Sequence, residues 1–149
     1  MTPSLTLMAR LHVLVGPPVT IADGAPGRRF IPIVGGTVKG DLSGRILAGG
    51  GDWQTILADG GMEIDAHYAL DIEGHGHVEV RSQGVRVGPP GILAALGRGE
   101  IVDPSTYYFR TFVRLTTAAP GLARLNGILA IAVGARAPGA VDLDVFEVS

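Results

Sequence analysis

The sequence contains no cysteine, which removes disulfides, thiolate metal sites, cysteine-ligated iron–sulfur clusters and a cysteine nucleophile together. Charge is also sparse: 17% of residues are charged against 46% hydrophobic, and the formal net charge is −2. No basic cluster exceeds the pair Arg28-Arg29. The basic face that phosphate backbones or anionic lipids require is therefore missing, and neither nucleic acid nor a membrane is an expected partner. No window holds about 18 uninterrupted apolar residues, and the start, Met1-Thr2-Pro3-Ser4-Leu5, lacks a basic segment followed by an apolar one. The expected location is the cytoplasm. Aromatics make up 5% of the chain, too few for the two girdles of an outer-membrane barrel.

Glycine is what the sequence has in plenty. Its 23 glycines and 10 prolines cut the chain into short runs, the punctuation of tight turns rather than of long helices. The 149 residues fit one domain, 1–149, and a chain of this size buries roughly 70% of its unfolded surface. The runs 5–15, 29–38, 44–47, 53–57, 63–72, 77–87, 106–116, 128–133 and 141–148 are mostly rich in Val, Ile, Leu, Thr and Tyr, which predicts about eight to ten strands. Alternation is clearest in the run 63–72: Glu63, Asp65, His67 and Asp71 share one face, and Ile64, Tyr68, Leu70 and Ile72 the other. The segment Glu73-Gly74-His75-Gly76-His77 then reads as a hairpin turn.

One helix is expected over residues 89–97, with proline in its first turn, an Ala/Leu body and a glycine at its end. A helix interrupting a β chain is a candidate lid or plug for a barrel mouth. Strands joined in sequence by tight turns favour an all-β fold, a closed antiparallel β-barrel, because closure removes exposed apolar edges. A barrel of that strand number either fills itself or holds one small ligand. The apolar excess predicts a homo-oligomer.

Several residues are candidates for chemistry. Gly49-Gly50-Gly51-Asp52-Trp53-Gln54 either aims Asp52 and Gln54 into a cavity, or is a bulged junction where Asp52 caps backbone amides and Trp53 fills core. No Gly-Lys-Ser/Thr follows, so it is not a phosphate loop. Asp65 and His67 share a face with Glu63, a spacing that suits proton transfer, a metal, or ordinary solvated polarity. In Tyr107-Tyr108-Phe109-Arg110, alternation puts Tyr108 and Arg110 together, where a phenol and a guanidinium stabilise an oxyanion or simply sit at a rim. Arg81 and Arg86 carry the same ambiguity, and an Arg81 inside the barrel would need a partner such as Asp52 or Asp65. Asn126 before Gly127 reads as a turn residue tolerating a left-handed conformation, or else as a ligand-facing amide.

The segments 29–37 (RFIPIVGGT), 49–54 (GGGDWQ), 103–110 (DPSTYYFR) and 124–126 (RLN) resemble the bacterial and fungal domain of unknown function 3237, also called uncharacterised protein family 0311. The similarity runs from the first strand to Val145-Phe146-Glu147-Val148. It implies a compact antiparallel β-barrel and assigns no role to any position.

Taken together, the residues point to a small-molecule ligand in a barrel pocket. The leading expectation is an enzyme, of isomerase, cyclase or lyase type, that uses no cofactor and no metal. It would move a proton on a small, partly apolar carbonyl or aromatic compound. Asp52, Asp65, Tyr108 and Arg110 are the expected catalytic groups, and Trp53, Gln54, Tyr68, Arg81 and Asn126 the expected substrate-binding ones. The alternative is a non-catalytic binding barrel, whose polar groups would already satisfy one another.

Overall fold

The computed structural model describes residues 1–149. Ten strands form, β1 (Leu5–Val15), β2 (Val19–Ala22), β3 (Gly27–Gly40), β4 (Gly44–Ile46), β5 (Gly50–Ile56), β6 (Met62–Ile72), β7 (Gly76–Val87), β8 (Tyr108–Thr116), β9 (Leu129–Ala137) and β10 (Ala140–Val148). One helix, α1 (Pro90–Gly97), separates β7 from β8. Every pairing is antiparallel. The sheet closes because β1 pairs with β10 on one side and β3 on the other. Both β4 and β5 bridge β3 to β6, so they act as one interrupted stave, and the barrel has eight staves. Such a barrel leaves no open edge among its main strands.

The short β2 lies outside the circuit and pairs with β3 alone. The sequence reading missed it. Its four residues are all exposed, so no buried face imposes alternation on them, and two prolines precede them.

The inward face follows the period of two. In β6, Met62, Ile64, Ala66, Tyr68, Leu70 and Ile72 are buried, while Glu63 and His67 are exposed. One end of the barrel is packed solid with aliphatic side chains, among them Met8, Leu11, Val38, Ile46, Leu70, Val80 and Leu115. A gap among them measures about 10 Å³, the room of a single water at most. At the other end α1 buries Leu93 and Leu96 against Met62, Ile64, Tyr107 and Phe109. Each buried leucine contributes roughly 2 kcal/mol of transfer free energy, which holds the helix over that end. Pro90 opens the helix, and Gly99, at φ 79°, turns the chain away just after it. The stopping glycine is thus two residues beyond the expected Gly97.

A polar cavity between the filled half and the helix

A cavity of about 590 Å³ lies between the solid half and the helix-covered end. It is lined in part by Gly16, Pro17 and Pro18 after β1, the segment 96–99 at the end of α1, and Gly139 between β9 and β10. Part of its wall is apolar, including Val13, Ile31, Ile33, Val141 and Leu143. The remainder is unusually polar for a barrel interior: Arg29, Asp52, Gln54, Tyr68, Ser82, Arg86, Thr111 and Arg136 also line it.

Local sequence explains how β5 supplies this wall. Gly49 takes φ 110° to start the strand, a region that side chains disfavour. A Cβ on Gly51 would meet the Phe30 ring, so the glycine leaves room for that ring in its present position. Strand alternation then turns Asp52 and Gln54 inward and Trp53 outward. Gln54 is buried, and Trp53 is 45% exposed, its ring 4.7 Å from Phe30.

The polar groups form a directed chain. Arg29 Nε donates to Gln54 Oε1 at 2.7 Å, and Gln54 Nε2 donates to Asp52 Oδ2 at 2.7 Å. The backbone N–H of Asp65 donates to Asp52 Oδ1 at 3.0 Å. Burial raises the Asp52 pKa, and these two hydrogen bonds with the Arg29 charge only partly oppose it. Asp52 is therefore a stronger base than an ordinary carboxylate. Tyr68 is buried, its hydroxyl has no partner, and burial together with the Asp52 charge pushes its pKa up. It remains a neutral phenol. On the wall beside it Ser82 Oγ donates to Thr111 Oγ1 at 2.7 Å, so those hydroxyls satisfy each other.

The arginines are less well satisfied. Arg86 is 2% exposed, and its Nε has no acceptor. The Nη2 atoms of Arg86 and Arg29 both donate to Met62 Sδ at 3.4 Å, a weak acceptor. Burial, then the charges of Arg136 and Arg29, push the Arg86 pKa down to about 10. Arg29 is lowered by burial and by Arg136 as well.

Of the residues singled out from sequence, Asp52, Gln54, Tyr68 and Arg86 meet at this cavity. The others do not, and in each case strand parity or turn geometry is the reason. Because Ile64 and Ala66 point inward, Asp65 points out, where it accepts from Arg81 Nε at 3.0 Å, both side chains being about half exposed. Tyr107 and Phe109 take the inward positions of their segment, so Tyr108 and Arg110 face outward with the guanidinium 5.0 Å from the phenol ring. Asn126 ties down a loop: its amide bonds Thr117 N, Thr117 O and Ala123 O. It does so within a short 3-10 helix, not in a left-handed conformation. His67 meets Glu79 on the outer face.

Among the charged groups of the cavity, the sequence reading passed over Arg29 and Arg136 and left Arg86 ambiguous. Each lies in step with buried positions of its own strand: Arg29 with Ile31 and Ile33, Arg86 with Val78, Val80 and Ser82, Arg136 with Ala130 and Ala132. That parity was the available signal.

Fold and cavity together define a closed antiparallel β-barrel with a polar internal pocket, half filled and half open. Residues 3–148 match the family described as "Protein of unknown function (DUF3237)", and the chain belongs to that family. A UPF0311 protein of Bradyrhizobium diazoefficiens is 37% identical, with 99% of each chain covered. Among solved structures, a conserved protein of unknown function from Rhodopseudomonas palustris has 38% identity and a TM-score of 0.91 over 100% of both chains. A β-barrel-like protein from Acinetobacter baumannii has 32% identity and a TM-score of 0.86, covering 100% of this chain and 98% of that one. A protein described as an enzyme from Penicillium herquei shares the fold at 18% identity and a TM-score of 0.77.

Proposed function

We propose that the chain is an enzyme that moves a proton on a small, partly apolar carbonyl or aromatic compound inside the barrel, without a cofactor, as an isomerase, cyclase or lyase. The observation that carries this reading is Asp52: a carboxylate of raised pKa lining a cavity that also holds guanidinium groups and a neutral phenol. General-base strength increases with pKa, and a positioned base contributes typically 10²–10⁴-fold.

In this mechanism an Asp52 oxygen takes a proton from carbon or oxygen of the bound compound, and the electron pair left behind moves onto a carbonyl oxygen. Arg86 or Arg29 stabilises that oxyanion from a site of low dielectric. Return of the proton from Asp52 to a different atom gives an isomer; attack of a deprotonated hydroxyl oxygen on an electron-poor carbon of the same molecule, with the proton returned to the atom that receives the displaced electron pair, closes a ring. Expulsion of a group from the neighbouring carbon gives a lyase reaction. Gln54 is a positioning residue, since it links Asp52 to Arg29.

A purely binding role predicts polar groups satisfied by one another. The unpartnered Arg86 Nε and Tyr68 hydroxyl favour groups kept for an incoming molecule. The test is deuterium exchange into aryl ketones and cyclic 1,3-diketones, followed by proton NMR in D₂O. The protein should accelerate exchange, and Asp52→Asn should slow it at least about 100-fold. Full exchange activity in Asp52→Asn would remove the proposal.

A further inference from the structure

The cavity concentrates positive charge in a protein whose net charge is −2. Arg29, Arg86 and Arg136 line it, and Asp52 is the one carboxylate among the lining residues. None of the three arginines forms an ion pair. The ion-paired arginines, Arg10, Arg45, Arg81, Arg98 and Arg124, have side chains about half or more exposed. Arg29 and Arg86 converge on one sulfur, Met62 Sδ. Arg136 is close enough for its charge to act on both. Buried cations are ordinarily paired, and three guanidinium groups facing the single carboxylate of Asp52 leave an excess of positive charge that a bound anion would balance.

We infer that the cavity takes an apolar organic acid, its carboxylate seated among Arg29, Arg86 and Arg136 and its hydrocarbon body against the aliphatic wall. A guanidinium presents its N–H donors in a planar fork that matches a carboxylate, and the unpartnered Arg86 Nε is one such donor. The apolar part of the wall, Val13, Ile31, Ile33, Val141 and Leu143, argues for a body of carbon rather than for a bare inorganic anion, and the volume of about 590 Å³ suits a ligand of that size. This inference rests on the same cavity as the proposed function and names the class of its substrate.

The experiment is calorimetric titration of the whole protein with benzoate, 2-naphthoate and 4-phenylbutyrate, each beside its neutral carboxamide and beside inorganic phosphate. Expected is binding of the acids at least tenfold tighter than their amides and tighter than phosphate. Arg86→Met and, separately, Arg136→Gln should weaken the acids at least tenfold, with folding of each variant verified by circular dichroism. Equal affinity of acids and amides, phosphate binding as tightly as the acids, or undiminished affinity in a folded Arg86→Met overturns the inference. The two readings fail separately. Acids that do not bind, alongside Asp52-dependent exchange of neutral ketones, remove the inference and leave the proposed function. Acids that bind, alongside exchange indifferent to Asp52→Asn, do the reverse.

Discussion

Replacing Arg86 with methionine should make the barrel more stable while weakening what it binds. Arg86 is 2% exposed, lacks a carboxylate partner and leaves its Nε without an acceptor. Burial holds the Arg86 guanidinium well below its ordinary value, and each pKa unit corresponds to ~1.4 kcal/mol between the protonation states. The drop to about 10, caused first by burial and then by Arg136 and Arg29, therefore equals on the order of 3 kcal/mol of cost to the charged folded form. The folded state holds this proton less tightly than the unfolded chain. The cost is thus fully present below pH 10 and fades only as the pH climbs above it. Methionine keeps much of the alkyl stem and removes the charge. For a domain of this size, each kcal/mol moves the midpoint by roughly 2–4 °C, so thermal unfolding at pH 7 should shift upward by about 6–12 °C. A midpoint lowered by a similar amount would refute the reasoning, because it would mean that the guanidinium is well paired in the folded protein.

Asp52→Asn should change the pH dependence of stability. The folded carboxyl titrates above its unfolded value, so the parent carries a cost that appears as pH rises through that folded pKa and is absent at lower pH. Denaturant midpoints from pH 3 to 8 should move in favour of the variant as pH rises; parallel curves would contradict this. Asp65→Asn and Arg81→Ala, which break an exposed outer pair, should each cost less than about 1 kcal/mol and leave binding and exchange unchanged. The expected homo-oligomer has a candidate surface in the outward row Leu7, Phe146, Ile131 and Phe112, which are register partners across four adjacent strands. Phe112 is 74% exposed. Phe112→Glu should turn the assembly into monomers in analytical ultracentrifugation, and a parent already monomeric at high concentration removes the proposal.

Most of the barrel was legible because its strands obey period two and its turns carry glycine. The β6 run could be divided into wet and dry faces from sequence, and the buried pattern follows that division residue by residue. β2 was illegible because nothing buries it. The site was legible in part. Once Asp52 is inward, Gln54 must be and Trp53 cannot be, but no sequence rule states which parity of an isolated short strand faces in. Tyr108 and Arg110 drew attention as a chemically suggestive pair, yet the apolar Phe109 beside them decides the face. The three cavity arginines run against the rule that charges stay outside. Parity with Ile31, Val80 and Ala132 pointed inward while residue type pointed outward, and such conflicts between levels concentrate at functional sites.

The account depends most on Asp52 being a half-buried, strengthened base in an open interior. Carbon-13 NMR titration of the aspartate carboxyls, with Asp52→Asn identifying the resonance, reads this directly. The expected result is a pKa above the ordinary aspartate value of about 3.9. A value at or below it would mean a solvated or tightly ion-paired carboxylate, and the proposed chemistry would lose its base.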